Sequence, residues 1–171
     1  MRKIEVLISE VEIRDKVTEL AELINSDYAG NPPLLIGVLK GCIYFLGDLS
    51  RQLQDHSAID FMAIESYDGE SSTGAVKIRM DLATNVEGRD ILIVEDIVDT
   101  GMTLSYLAEL LKGRNPRSLK VVTLLFKPGS FVGSYKPDYI GFEIPNDFVV
   151  GYGMDLGEEY RNLKFVGRLG N

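Results

Sequence analysis

Chemistry concentrates in one stretch of this chain: Ile91-Leu92-Ile93-Val94-Glu95-Asp96-Ile97-Val98-Asp99-Thr100-Gly101-Met102-Thr103-Leu104. Glu95 and Asp96 are adjacent carboxylates, which suit the two hydroxyls of a ribose or a magnesium ion that keeps its waters. From Asp99 to Thr103 the chain offers successive backbone amides, two hydroxyls and the permissive Gly101. That combination suits a concave anion nest at a helix N-terminus, because ligand phosphate needs converging N–H donors and little bulk beside the backbone. Each residue also has a plainer use. Asp99 or Thr100 could cap the helix while Glu95 and Asp96 sit as solvated acids at a strand end. The whole set after a buried aliphatic run is what points to a phosphorylated ligand.

Such residues work only if something rigid delivers them. Ile91 to Val94 reads as a strand buried on both faces, the kind found inside a parallel sheet, and the acids sit where it should stop. Carboxylates at the carboxyl end of a parallel strand, followed by a short loop and a helix, are how open α/β folds hold phosphorylated ligands. Upstream, Ser9-Glu10-Val11-Glu12 matches a capping box, and Ile13, Val17, Leu20, Ala21 and Ile24 recur at helical spacing, so 10–26 reads as an amphipathic helix. Leu34 to Leu39 is a second buried strand, 42–53 is helical in pattern, and Ile59 to Ile64 is a third strand. Ser66 to Gly74 is polar and small throughout and reads as a loop. Val76, Ile78, Met80 and Leu82 alternate with polar residues, giving a strand with one wet face. Leu104, Leu107, Leu110 and Leu111 mark a helix, Val121 to Phe126 another buried strand, and 139–144 and 148–150 shorter extended pieces. Alternating strands and helices predict an α/β fold: a mainly parallel twisted sheet with helices on both faces. The Ser66–Leu82 segment and the tail are expected to form a small irregular lobe above the strand ends.

Bulk properties bound the function. A chain of 171 residues with 45% hydrophobic and 26% charged content has the makings of one globular domain with a substantial core. The net charge of −8 argues against nucleic-acid binding, which rests on basic patches. Any phosphate must be held by local amides, a few cations and a metal. The lone Cys42 cannot form an internal disulfide and opens an apolar stretch, so it reads as a small buried residue in a reducing compartment. The lone His56 has no Cys or His at ligand spacing, which disfavours a zinc site or a Ser-His triad. No apolar run of about 18 residues and no leader-like segment occurs, so no membrane contact and a cytoplasmic location are expected.

The Glu95-Asp96-x-x-Asp99-Thr100-Gly101 core resembles the signature of the phosphoribosyltransferases that use 5-phospho-α-ribosyl pyrophosphate, and the hypoxanthine-guanine branch in particular. Other segments share the resemblance, which together covers nearly the whole chain. It implies the type I phosphoribosyltransferase fold, one domain over 1–171, with a hood formed by the N-terminal segment and about 138–171. Leu39-Lys40-Gly41 is similar to the family's pyrophosphate loop, whose strained, often cis, peptide presents amides to diphosphate. Ser66-Tyr67 opens the segment matching its flexible lid. Lys127 matches the lysine that contacts the purine 6-oxygen. Phe142 to Asp155 resembles the purine-binding hood: Phe148 matches the stacking ring, Val149 offers backbone groups to the base edge, and Asp155 matches the residue near the 2-position that helps place magnesium. Arg161 matches the arginine that reaches pyrophosphate. Met102 departs from relatives that carry lysine there, so amides must carry more of the 5′-phosphate.

The resemblance therefore implies purine salvage: Mg-dependent transfer of a phosphoribosyl group to N9 of hypoxanthine or guanine, by a homodimer or homotetramer. Asp99 is the expected general base. Glu95 and Asp96 are expected to hold the ribose hydroxyls, Asp99, Thr100, Gly101, Met102 and Thr103 to line the 5′-phosphate loop, and Glu95, Asp96 and Asp155 to hold magnesium. The main rival is a regulator of the same fold that binds nucleotide without turnover; such proteins lack parts of the catalytic set, which stands complete here. The absence of G-x-G-x-x-G and Walker A sequences disfavours a doubly wound nucleotide-binding module. A lysine that only donates favours a 6-oxo over a 6-amino purine, against adenine.

Overall fold

Aliphatic runs too apolar to face water on either side set the centre of the fold. In the computed structural model, which describes residues 4–54, 56–66 and 76–169, they become strands of a mostly parallel sheet. The element order is β1 (Ile4–Ile8), α1 (Glu10–Asp27), β2 (Leu34–Leu39), α2 (Ile43–Ser50), β3 (Ile59–Ser66), β4 (Val76–Met80), β5 (Asp90–Val98), α3 (Met102–Lys112), β6 (Ser118–Phe126), β7 (Tyr139–Glu143), β8 (Val149–Val150) and β9 (Val166–Leu169). Among the described residues the main sheet runs in the order β4-β3-β2-β5-β6-β7. Every pairing in it is parallel except β3 with β4.

Alternate residues of the central strands supply two cores. Leu35, Leu92 and Val94 pack with Ile13, Val17, Leu20 and Ile24 of α1 and Phe45, Leu46 and Leu49 of α2. Leu34, Ile36, Ile91 and Ile93 pack on the opposite face with Leu104, Leu107 and Leu111 of α3. This is the expected arrangement of helices on both faces. The capping box of α1 also forms: the Glu12 amide donates to Ser9 Oγ at 3.3 Å, and the Ser9 amide donates to the Glu12 carboxylate at 2.8 Å.

Four expectations need correction. The signature strand does not stop at the acids: β5 runs on to Val98, with Glu95 opposite Thr123 and Ile97 opposite Leu125 on β6. Strand pairing with a neighbour as long as β6 outweighs the local change to polar residues. Val76–Met80 does not belong to a lobe above the strands; it is the antiparallel edge of the main sheet, opposite 63–66 of β3. The lobe above the strand ends is also regular, a three-stranded antiparallel sheet ordered β1-β9-β8 that ties the two ends of the chain together. Helix α2 is shorter than the 42–53 pattern, ending at Ser50. The expected lid from Tyr67 to Gly74 lies outside the described residues.

No helix among the described residues is long and apolar enough to cross a membrane.

Helix α3, which follows the 99–103 loop, packs on the sheet through Leu104, Leu107 and Leu111, and Leu107 is fully buried. Leu107→Ala should therefore cost about 2–5 kcal/mol through lost transfer energy and a residual cavity. Urea unfolding should show a lower midpoint with an unchanged slope.

Candidate functional site

The carboxyl end of β5 is where loops from across the fold meet. Asp96 packs so closely on the turn after β2 that a side chain on Gly41 would place its Cβ 1.9 Å from Asp96 Oδ2. From the other side, a Cβ on Gly153 would lie 1.9 Å from the Gly41 carbonyl oxygen, and Gly153 holds φ +106°, a conformation that favours glycine. The turn Lys40-Gly41 is thus clamped between Asp96 and the 151–161 segment, and the Leu39–Lys40 peptide is cis.

That segment is built on an unusual backbone. Tyr152, Glu158 and Tyr160 join Gly151, Gly153 and Gly157 at positive φ. Backbone bonds from the Tyr152 amide to the Leu163 carbonyl and from the Gly153 amide to the Arg161 carbonyl, both 2.9 Å, hold it. The result brings Asp155, Glu158 and Arg161 over Lys40. Arg161 donates to the Gly153 carbonyl at 2.7 Å and pairs with Asp155 at 2.9 Å and Glu158 at 3.3 Å. Lys40 pairs with Glu158 at 2.8 Å. Glu158 had no signal in the sequence pattern: it is an exposed loop acid 118 positions from its lysine partner.

Glu95 and Asp96 leave the strand on alternate sides, so they do not act as one pair of acids. Glu95 opens into a pocket of about 200 Å³ with Asp99, Thr100, Gly101 and Thr103. Asp96 opens into a second pocket of about 220 Å³ with Asp99, Lys127, Phe148, Val149 and Asp155. Asp99 borders both. In the first pocket, Gly101 is the N-cap of α3 at φ +75°, and a Cβ there would meet the Phe131 ring at 2.2 Å. The N-cap glycine has no side chain to cap the helix, and Thr100 Oγ1 accepts from the Met102 amide at 3.4 Å, so the remaining first-turn amides of α3 lack intrahelical acceptors. The exposed Met102 points no charge into the loop. Phe131 and Gly133, whose amide donates to the Thr100 carbonyl at 3.0 Å, buttress the loop. Their distance in sequence from the signature hid that role. In the second pocket, Phe148 is 55% exposed, unusual for so large an apolar ring, and it stands on the pocket wall opposite the buried Lys127.

Electrostatics separate the three acids. Burial, reinforced by the Asp96 charge, pushes the Glu95 carboxyl well above the usual range. Burial likewise pushes Asp96 up to about 6, against the opposing pull of backbone amides and Arg161. Asp99 is different: partial burial raises its pKa, but the bond from Lys127 at 2.6 Å, with help from Ser130, outweighs it and holds the carboxyl below the ordinary value. Burial pushes the Cys42 thiol up, and the residue is fully enclosed, as its apolar setting led us to expect. A larger cavity of about 620 Å³ lies elsewhere, between α1, α2 and 162–164. Its charges are matched to one another, Asp48 with Arg51 and Tyr152, and Lys164 with Glu10.

No three Asp, Glu, His or Cys side chains among the described residues form a cluster that could hold a metal ion. Of the expected trio, Glu95 lines the first pocket, and Asp96 and Asp155 line the second. Asp96 and Asp155 remain close enough for the charge of one to raise the pKa of the other. Two hard carboxylates fit magnesium, which keeps most of its waters and takes further oxygens from a phosphate ligand.

Because Asp96 is held above its unfolded value of about 3.9, its protonated form stabilises the fold. That stability is complete below the unfolded value and is lost as pH rises through about 6. Asp96→Asn mimics the neutral acid, so it should match the wild type near pH 4 and be more stable above pH 6. The expected gain is on the order of 1–2 kcal/mol. Melting temperatures of both proteins across this range check it; a variant less stable at neutral pH would contradict the burial argument.

Comparison with known proteins agrees with this geometry. A family model described as the phosphoribosyl transferase domain matches residues 9–156. The chain is 52% identical over 165 residues to the hypoxanthine-guanine phosphoribosyltransferase of Bacillus subtilis strain 168, covering 96% of this chain and 92% of that one. Among solved structures, a hypoxanthine phosphoribosyltransferase from Staphylococcus aureus superposes with a TM-score of 0.93 at 44% identity, covering 97% of this chain and 91% of the other. A hypoxanthine-guanine phosphoribosyltransferase from Bacillus anthracis gives 0.94 at 40% identity, covering 99% and 100%. With near-complete coverage in both directions and a shared fold, the chain belongs to the phosphoribosyl transferase family, in its hypoxanthine-guanine branch.

Proposed function

We propose that this protein transfers the 5-phosphoribosyl group of phosphoribosyl pyrophosphate to N9 of hypoxanthine or guanine, giving IMP or GMP and pyrophosphate. The observation that carries this reading is the Lys127–Asp99 pair, 2.6 Å apart, in one pocket with the exposed ring of Phe148. It offers a stacking face, a donor for a 6-oxygen and a proton acceptor within one small volume. The names of the relatives at about half identity support the same substrates.

The two pockets divide the substrates between them. The 99–103 loop, rich in amides, takes the 5′-phosphate, with Thr100 and Thr103 hydroxyls beside it. Glu95 and Asp96 flank the ribose from either side of β5 and accept from its hydroxyls. Lys40, the Gly41 turn and Arg161 hold the diphosphate. Asp96 and Asp155 would hold magnesium, which when bound would neutralise charge on the leaving group. The purine stacks on Phe148, with Val149 backbone groups at its edge and Lys127 at its 6-oxygen. Ser66 and Tyr67 belong to the expected lid; Tyr67 lies outside the described residues.

In the transfer, the bond from C1 to the diphosphate oxygen breaks and its electron pair leaves with the diphosphate. The N9 lone pair forms the new bond on the opposite face, and Asp99 takes the proton the purine imidazole gives up. A 6-oxo purine draws Lys127 toward its oxygen, which loosens the bond that keeps Asp99 weakly basic in the free protein. Substrate binding thereby readies the base. A 6-amino purine presents a donor to Lys127 and lacks this effect. Held between charged loops, the cationic sugar must also be kept from water. The reading carries with it a cytoplasmic homodimer or homotetramer, as the family resemblance implies.

Purified protein with magnesium, phosphoribosyl pyrophosphate and hypoxanthine or guanine should form the 5′-mononucleotide. Chelator should abolish turnover and excess magnesium restore it. Nucleotide binding without any turnover would favour a regulator of the same fold instead.

Asp99→Asn keeps shape but cannot accept a proton, so the single-turnover rate should fall about 10²–10⁴-fold. Phosphoribosyl pyrophosphate affinity should change little. An unaltered single-turnover rate would leave Asp99 as loop structure only.

A further inference from the structure

Two cations in this site already carry an anion. The carboxylate of Glu158 reaches Lys40 Nζ through Oε2 at 2.8 Å and Arg161 Nη2 through Oε1 at 3.3 Å. These are the same two side chains that the proposed function gives to diphosphate. Two oxygens of one small anion bridging an ammonium and a guanidinium is the geometry a phosphate group would adopt there. The bridge draws the Glu158 carboxyl below the usual range, chiefly through the bond from Lys40.

The backbone of Glu158 is held while its side chain is not. Its amide donates to Asp155 Oδ2 at 2.8 Å, and its φ of +70° is one that residues other than Gly, Asn and Asp rarely adopt. The Glu158 side chain is 65% exposed and that of Lys40 66%, so the ion pair is solvated and cheap to break. Arg161 is anchored independently, by the Gly153 carbonyl and by Asp155, and keeps its place when Glu158 swings away. Asp155 thus pins the turn that aims Glu158, and the carboxylate can leave by rotating its own side chain.

We propose that Glu158 is an internal stand-in for diphosphate: it neutralises Lys40 and Arg161 in the free protein, must be displaced for phosphoribosyl pyrophosphate to bind, and returns as pyrophosphate departs. The inference rests on the function proposed above and adds a residue to it. Two consequences follow for the reaction. Ground-state binding of the diphosphate is weakened by the competition, and product release is quickened because a tethered anion waits to replace the product. A protein of net charge −8 gains a further benefit, since two adjacent cations never face water unpaired and do not collect unrelated anions.

The opposite role, in which Glu158 positions Lys40 and Arg161 for the ligand, makes the opposite prediction, and magnesium pyrophosphate titrated calorimetrically into the full-length protein separates them. Glu158→Gln and Glu158→Asn should each lower the dissociation constant for pyrophosphate by about three- to tenfold. Asparagine is the second variant because it suits a positive φ and is too short to bridge. Stopped-flow release of pyrophosphate should slow by a similar factor. In a Lys40→Met background the gain from Glu158→Gln should shrink to less than about twofold, as expected for a shared partner. A gain in affinity cannot arise from misfolding. Unchanged or weaker pyrophosphate binding in both variants, while the wild type forms nucleotide, overturns the stand-in and leaves the proposed function in place. A wild type that neither binds pyrophosphate nor forms nucleotide overturns both.

Discussion

Everything at this site hangs on β5 carrying carboxylates out of a dry sheet. Its first residues are enclosed on both faces, between α1 and α2 on one side and α3 on the other. Its last residues emerge where the turns after β2 and β8 converge. Ile91 to Val94, fully buried, hold the strand in the sheet, and Glu95 and the half-buried Asp96 leave it with burial pushing both carboxyls up. The close packing of Asp96 on Gly41, and of Gly41 on Gly153, then fixes the distance between three segments far apart in the chain.

A second theme is that the cations of the site are matched before any ligand arrives. Lys127 is bound to Asp99, Arg161 to Asp155, and Lys40 to Glu158. Under the proposed function, recognition of a highly charged substrate is an exchange of partners rather than capture by bare positive charge. Under that reading, Asp99 becomes the better proton acceptor as the purine draws Lys127 away, and Glu158 returns to solvent while Asp155 keeps Arg161 in place.

Much of this was legible in the sequence. The aliphatic runs of β2, β5 and β6, the Ser9–Glu12 capping box, and the helical spacing of Leu104, Leu107 and Leu111 each report a local physical requirement. So does the pairing of acids with a glycine-containing loop before a helix. Non-local pairing was not legible. Strand β5 continues through Glu95 and Asp96 because Thr123 and Leu125 lie opposite, and no property of residues 95–98 alone announces it. The same holds for β1 and β9, short strands at opposite ends of the chain that exist by pairing with each other.

The alternation of Glu95 and Asp96 shows why this gap matters for chemistry. If the strand ended at Val94, adjacent acids in a loop could turn to the same ligand atom, and a shared metal site would be the natural reading. Because the strand continues, its pleat sends them to opposite sides. The site becomes two pockets joined at Asp99, one built on amides of a helix N-terminus and one on Lys127 and Phe148. Under the proposed function, the 5′-phosphate lies on one side of the strand end and the flat base on the other, with the ribose across the strand end between them. Asp99, at the border, is then the carboxylate best placed to meet a proton at the bond between them.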